Sequence, residues 1–353
     1  MSRFLTAKYE SLKPYTPGEQ PRERKYIKLN TNESPFPPSP LAVKYACEQA
    51  EKLMLYSDPE CKDLALRLSE ELGVSASEVI LTNGSDEVLN FAFMAYCNEK
   101  APAVFPDITY GFYKVFANLC AVPFREIPLT DDFRIDLGNY PDEGTLFIAN
   151  PNAPTGIALP VSEIENVIKR NPERIVVVDE AYVDFGAESC IPLIKKYDNL
   201  LVTGTFSKSR SMAGARLGFG VASEGIINDL TRIRYSTNPY NVNRMTAAAG
   251  IGALEDRDYF IKNCESIISV RNDTVSALSL LGFEMTESVA NFVFIRHPKI
   301  SGEQLYLYLR ENGILVRHFD APRISDYNRV TIGNAKEMKT FIDIIKKIPE
   351  LNI

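Results

Sequence analysis

Four short polar segments hold the residues that could do chemistry, and each follows a run of apolar residues. They are Asn83-Gly84-Ser85-Asp86, Asn150-Pro151-Asn152-Ala153-Pro154-Thr155-Gly156, Asp179-Glu180-Ala181-Tyr182 and Thr205-Phe206-Ser207-Lys208. Taken singly, each has an ordinary structural reading. A Gly-Ser-Asp before a helix is an N-cap, Pro-Thr-Gly is a turn, an aspartate ending a strand shapes a loop, and a lone lysine is a solvated charge. Together they describe one site. Backbone N–H groups at Gly84 and Ser85, opening a helix, would hold a phosphate. The Asp179 carboxylate suits a buried cationic ring nitrogen, and the Tyr182 hydroxyl can donate to a phenolate oxygen. Lys208 is an amine nucleophile flanked by the hydroxyls of Thr205 and Ser207 and followed by Arg216, so an anion has a place beside it. A phosphate, an aromatic nitrogen, an oxyanion and an amine are what pyridoxal 5′-phosphate, held as a lysine Schiff base, presents to a protein.

What must position these residues is a sheet whose strands end side by side, because ligands of open α/β sheets sit beyond the carboxyl ends of the strands. The apolar runs 79–82, 103–105, 145–149, 175–178 and 200–204 read as buried strands. Helical spacing over 41–55, 64–72, 88–96 and 162–169 lies around and between them. Alternation of this kind predicts an α/β fold with a parallel sheet covered on both faces. The opening stretch to about Pro40 is polar and proline-rich and reads as an extended arm. The last third mixes helical patterns at 226–233, 247–270 and 303–312 with strands at 292–295 and 329–332, which predicts a smaller α+β domain. The expected organisation is 1–40 as the arm and start of the small domain, 41–245 as the large domain, and 246–353 as the small C-terminal domain.

Composition narrows the function classes. With 353 residues, 45% apolar and 24% charged, the chain is long enough for about two globular domains. The net charge of −7 and a pI near 5.2 argue against nucleic acid or an anionic membrane as partner. Any phosphate is therefore held by a local site. Only two histidines, His297 and His318, are present, which argues against a Ser-His-Asp hydrolase or a His-ligated zinc site, and no metal is expected. Proton work then falls to lysine. Six scattered cysteines without a CxxC pair, no apolar run of membrane length and no charged-then-apolar leader predict a cytoplasmic protein.

The order NGSDE, TYG, NPNAPTG, DEAY, SKSRSMAGARLGFG resembles the fold-type-I, class-II pyridoxal-phosphate-dependent aminotransferases, and within them the histidinol-phosphate aminotransferase family. The opening KLNTNESPFPPSP, the segment PYNVN and the ending GILVRHF…RVTIG add to the likeness, which spans nearly the whole chain. The fold it implies is a large domain with a mostly parallel seven-stranded sheet plus a smaller α+β domain. The activity it implies is a ping-pong exchange of an amino group between L-histidinol phosphate and 2-oxoglutarate, in histidine biosynthesis. Threonine-phosphate decarboxylation and aromatic amino acid transamination are alternatives on the same fold. A non-catalytic regulator is a remote one, since the acidic chain has no spare length for a DNA-binding segment.

Residue by residue, the resemblance implies that Lys208 forms the Schiff base and moves the proton. It assigns Asp179 to the pyridine nitrogen, Tyr182 to the phenolic oxygen and Tyr110 to stacking on the ring. Gly84, Ser85, Asp86, Thr205, Ser207 and Arg216 would surround the phosphate, Asp86 chiefly through its backbone N–H, since a carboxylate beside phosphate repels. The family's loop places asparagine directly before Pro-Thr-Gly, at the phenolic oxygen; here that residue is Ala153. Either Asn152 substitutes or Tyr182 acts alone. Arg329 resembles the arginine that takes glutamate's carboxylate in one half-reaction and the phosphate ester in the other. Arg317 is a second phosphate contact or a surface ion-pair residue. Tyr15 and Tyr56 close the site or merely pack, Tyr56 doing so from the neighbouring subunit of a homodimer.

Overall fold

A computed structural model describes residues 2–10 and 12–351. After one helical turn at Ala7–Glu10 (α1), the opening stretch is extended, and Ile27–Lys28 forms a two-residue strand, β1. Helices α2 (Pro40–Glu48) and α3 (Lys62–Leu72) follow. The helix expected over 41–55 stops early and continues only as a 3-10 turn at Ala50–Lys52, because Leu53, Met54 and Leu55 are exposed and have no core to bury against. The chain leaves α3 through Gly73, which takes φ +68 and donates its N–H back to Ser69.

The next stretch alternates as expected: β2 (Val79–Thr82), α4 (Ser85–Tyr96), β3 (Ala103–Pro106), α5 (Phe112–Cys120), β4 (Phe124–Ile127), β5 (Thr145–Ala149), α6 (Val161–Arg170), β6 (Val176–Asp179), β7 (Leu200–Thr205) and β8 (Gly218–Ala222). Helices α7 (Glu224–Thr237) and α8 (Arg244–Glu255) complete this unit. The seven strands form one sheet in the order β2-β8-β7-β6-β5-β3-β4. All neighbours are parallel except β8, which runs antiparallel to both β2 and β7. Strand side chains divide between two cores with period two. Val176 and Val178 point into one with α3, α6 and α8, while Val177 points into the other with α4, α5 and α7. Full burial of such side chains contributes roughly 1.5–3 kcal/mol each, which is why the central strands read as unbroken apolar runs.

The remaining elements are α9 (Arg257–Leu280), β9 (Glu284–Met285), β10 (Phe292–Arg296), α10 (Gly302–Glu311), β11 (Ile314–Leu315), β12 (Arg317–His318), β13 (Asn328–Thr331) and α11 (Ala335–Ile345). They build a four-stranded antiparallel sheet, β12-β13-β10-β9, around a third core. β1 joins them from the far end of the chain by pairing in parallel with β11. The boundary expected at 245/246 falls inside α8, whose Ala249, Ala253 and Leu254 are buried beneath the seven-stranded sheet. The two cores part after that helix, since α9 contributes Cys264, Ile267 and Leu278 to the smaller one.

Candidate active site

The carboxyl ends of β2, β5, β6 and β7 open on one cleft of about 310 Å³, lined among others by Ser85, Asp86, Tyr110, Asp179, Tyr182 and Lys208. Thr205, Ser207 and Arg216 also line it. Nine of the eleven side chains and backbone positions expected around the cofactor thus face one space, and Gly84 lies directly behind Ser85.

At the phosphate end, Gly84 caps α4 with φ +78. A methyl group built there would lie 2.5 Å from Arg216 Nη2, and one on Gly218 would lie 2.1 Å from the Ser85 nitrogen. Both glycines let β8 and the Arg216 side chain press against the helix N-terminus, where free N–H groups concentrate positive potential. Arg216 itself holds φ +57, an uncommon conformation for a residue with a side chain. Its guanidinium pairs with Asp86 at 2.9 Å, and the other Asp86 oxygen accepts from Tyr110 Oη at 2.6 Å. The Asp86 carboxylate is therefore turned to Arg216 and Tyr110, which leaves its backbone N–H to the cleft's anion. Thr205 Oγ1 donates to Ser207 Oγ at 3.0 Å and accepts from the Ser207 N–H, so the hydroxyls are set in place beside Lys208.

At the other end, the Asp179 carboxylate is 5% exposed. It accepts from Thr203 Oγ1 at 3.1 Å, from Tyr113 Oη at 3.3 Å and from the Ala181 N–H at 3.3 Å. Burial pushes its pKa up to about 6 and the charge of Asp86 adds to the rise, whereas the three hydrogen bonds oppose it. A buried carboxylate so placed lacks a cation, and a protonated pyridine nitrogen supplies one. Lys208 Nζ donates to the Thr31 carbonyl at 3.4 Å and stands 5.7 Å from the Tyr182 ring centre. Among the described residues it forms no ion pair. A basic anion cradle, an acid awaiting a cation and an amine free to react fit pyridoxal phosphate.

Asp179→Asn tests this fit in two ways. Because the folded pKa of Asp179 is raised above its ordinary value of 3.8, the folded cofactor-free protein binds more protons than the unfolded chain between about pH 4 and 6. Stability therefore falls as pH rises through that window. The asparagine variant escapes the penalty. Thermal or denaturant unfolding of cofactor-free protein should show it more stable than wild type near neutral pH by on the order of 3 kcal/mol, at about 1.4 kcal/mol per unit, with the gap closing at acid pH. The loaded variant should turn over about 10²-fold more slowly. A pH-independent gap would mean that Asp179 is satisfied without a cation.

One expectation needs adjusting. Asn152 is buried, and its side chain is fully engaged away from the cleft: Nδ2 donates to the Ile108 carbonyl at 3.0 Å and Oδ1 accepts from Thr109 at 2.7 Å. It pins the loop, and Ala153 presents only a methyl group to the cleft. Tyr56 is 79% exposed, stacks on Tyr240 at 4.4 Å and does not line the cleft of its own chain. Tyr15 stacks on Phe112 at 4.3 Å and lies against Gly111, beside Tyr110 at the cleft's edge. Sequence reasoning missed Thr203 and Tyr113, which hold Asp179. It also missed Asn32, Thr31 and Glu33, which come from the proline-rich opening; Thr31 and Glu33 line the cleft.

Arg329 and Arg317 lie directly opposite each other on β13 and β12. Arg329 Nη2 donates to the Asn30 carbonyl at 3.2 Å, and its Nε has no partner. Burial lowers its pKa, Arg317 lowers it further, and the Tyr182, Tyr15 and Tyr110 hydroxyls around it oppose that. Arg317 donates to the carbonyls of Pro17 and Thr16 at 3.3 and 3.2 Å. Neither guanidinium pairs with a carboxylate among the described residues.

Fold and cleft are those of a fold-type-I, pyridoxal-phosphate-dependent enzyme. Residues 24–345 match the family described as aminotransferase class I and II, and the chain belongs to that family. It is 48% identical to a histidinol-phosphate aminotransferase of Brachyspira hyodysenteriae over 351 residues, covering 99% of each chain. A histidinol-phosphate aminotransferase of Marinomonas sp. is 48% identical, covering 99% of this chain and all of the other. Among solved structures, the histidinol-phosphate aminotransferase of Sinorhizobium meliloti in complex with pyridoxal-5′-phosphate shares the fold with a TM-score of 0.90, at 24% identity over 99% and 98% of the two chains.

Proposed function

We propose that this chain transfers an amino group between L-histidinol phosphate and 2-oxoglutarate, with pyridoxal phosphate as cofactor. The observation that carries the reading is the Arg317–Arg329 pair. Like charges directly opposite on neighbouring strands repel, and an anion between them turns that cost into a binding site. A phosphate monoester presents enough oxygens to engage both guanidinium groups. A carboxylate needs only the planar fork of Arg329. Full-length relatives bearing the same activity in their names support the choice.

Bound in the cleft, pyridoxal phosphate supplies an electron sink for the pair left at a substrate carbon that gives up its proton. The protein's own residues do the rest. The Ser85 N–H, Ser207, Thr205 and Arg216 would hold the phosphate, and Tyr110 would cover the ring. Asp179 would keep the ring nitrogen protonated, and the Tyr182 hydroxyl would donate to the phenolic oxygen. Lys208 would be the amine that links to the cofactor and would move the proton at the substrate carbon. Arg329, Arg317 and Tyr15 fix the substrate's distal anion so that this carbon lies before Lys208. A second copy of the chain completes the site: Leu53, Met54, Leu55 and Tyr56 form an exposed apolar ridge of the kind that a two-fold partner covers. A cytoplasmic setting fits the six free cysteines.

A substrate panel of histidinol phosphate, phenylalanine and threonine phosphate, each with 2-oxoglutarate and with products identified, tests the assignment. Histidinol phosphate should be transaminated most efficiently. Release of carbon dioxide from threonine phosphate without transamination of histidinol phosphate would overturn it.

A further inference from the structure

Asn32 is 1% exposed and sits in the left-handed region at φ +56. Every polar group it carries is engaged. Its N–H donates to Thr331 Oγ1 at 2.9 Å, and its carbonyl accepts from Asn291 Nδ2 at 3.1 Å. Its side-chain Oδ1 accepts from Thr331 Oγ1 at 3.0 Å, and its Nδ2 donates to Tyr182 Oη at 2.9 Å. The direction of the last bond follows from the others. Thr331 Oγ1 already accepts the Asn32 N–H and has no acceptor for its own proton among the described residues other than Asn32 Oδ1. Its proton therefore fixes Oδ1 toward Thr331 and turns the amide nitrogen to Tyr182.

A phenol oxygen that accepts from an amide cannot send its own proton along the same line. The Tyr182 proton has no acceptor among the described residues, and the ring lines the cleft. We propose that Asn32 is a positioning residue: it holds the Tyr182 hydroxyl in the orientation that donates into the cleft, toward the cofactor's phenolic oxygen. The Ala153 side chain offers no polar group for this purpose, so the role passes to Asn32, tied to the small domain through Thr331 and Asn291. The inference rests on the cofactor reading above.

The test is a pH titration of the bound cofactor's visible absorption in wild type, Asn32→Asp, Asn32→Gly, Tyr182→Phe and the Asn32→Gly/Tyr182→Phe double variant. Aspartate keeps the acceptor toward Thr331 and tolerates the backbone angle, but it replaces the donor toward Tyr182 with an acceptor and so draws the hydroxyl proton out of the cleft. Glycine also accepts φ +56 and removes the side chain without backbone strain. A hydroxyl donating to the phenolic oxygen favours its deprotonated form, so losing that donation moves the spectral midpoint to higher pH. The expected rise is about one unit, a tenfold change, in Asn32→Asp, a smaller rise in Asn32→Gly, and no added rise from Asn32→Gly once Tyr182 is phenylalanine. Midpoints within about 0.2 units of wild type in both Asn32 variants, with unfolding profiles of the cofactor-free proteins unchanged, would overturn the proposal. So would an Asn32 effect that survives in the Tyr182→Phe background. A wild type that takes up no absorbing cofactor overturns the cofactor reading itself, which separates the two failures.

Discussion

Lys208→Ala chains should fold and take up cofactor, yet turn over more slowly by about 10³-fold or more, because the one residue that would both link the cofactor and move the proton is gone. Two measurements check the assignment. Borohydride reduction of wild type should attach the cofactor to the peptide that contains Lys208, and single-turnover absorbance should show the substrate proton moving no faster in the variant than in solution. Mixing with Tyr56→Ala chains extends the test to assembly. Hybrid dimers should regain part of the lost activity, since one of their two sites keeps both Lys208 and the partner subunit's Tyr56. Labelling of a different lysine would move the chemistry elsewhere. Hybrids with no gain would place Tyr56 outside the site.

The second large effect belongs to the arginine pair. Arg329→Ala should damage both half-reactions, since the same guanidinium serves the phosphate of one substrate and the distal carboxylate of glutamate. Loss of a buried charged contact costs about 2–5 kcal/mol, so each half-reaction should slow by well over tenfold. Arg317→Ala should spare the glutamate half and slow the histidinol-phosphate half, because its contact is made to the larger anion. Cofactor absorbance in single turnovers reads each half separately. Equal losses at Arg317 for both substrates would end the division of labour, and unchanged rates at Arg329 would remove it from the site.

Strand ends announce themselves in this sequence because they are local events. Apolar runs such as 145–149 and 200–204 meet polar residues abruptly, and the meeting points are where the cleft forms. Elements without that contrast stayed hidden. β4 is an edge strand with Arg125 and Glu126 exposed, and it has no apolar run. β8 is glycine-rich because close approach to Ser85 and Val88 of α4 excludes side chains at Gly218 and Gly220. α5 mixes Phe112, Tyr113, Val115 and Phe116, all middling helix formers, and is held by tertiary burial of Tyr113, Phe116 and Ala117. By contrast α11, outside the expectations, carries a legible capping box from Asn334 to Glu337. Asn152 looked suitable by residue type and position, and only the loop's conformation shows its amide consumed by Ile108 and Thr109. Asn32 was illegible for the opposite reason. Its partners, Thr331 and Asn291, lie near the other end of the chain, and no window of sequence contains them together.

The parallel pairing of Ile27 with Ile314 also bears on how the protein is made. Synthesis delivers β1 first and β11 only after most of the chain has followed. Until then the opening segment has no strand to join, and the small domain has no complete core. The seven-stranded sheet can fold while the ribosome is still at work, but the segment carrying Thr31, Asn32 and Glu33 can dock only once β11 has been made. A binding-competent cleft is thus the last part of the molecule to form, because closing so long a loop precedes any contact that rewards it.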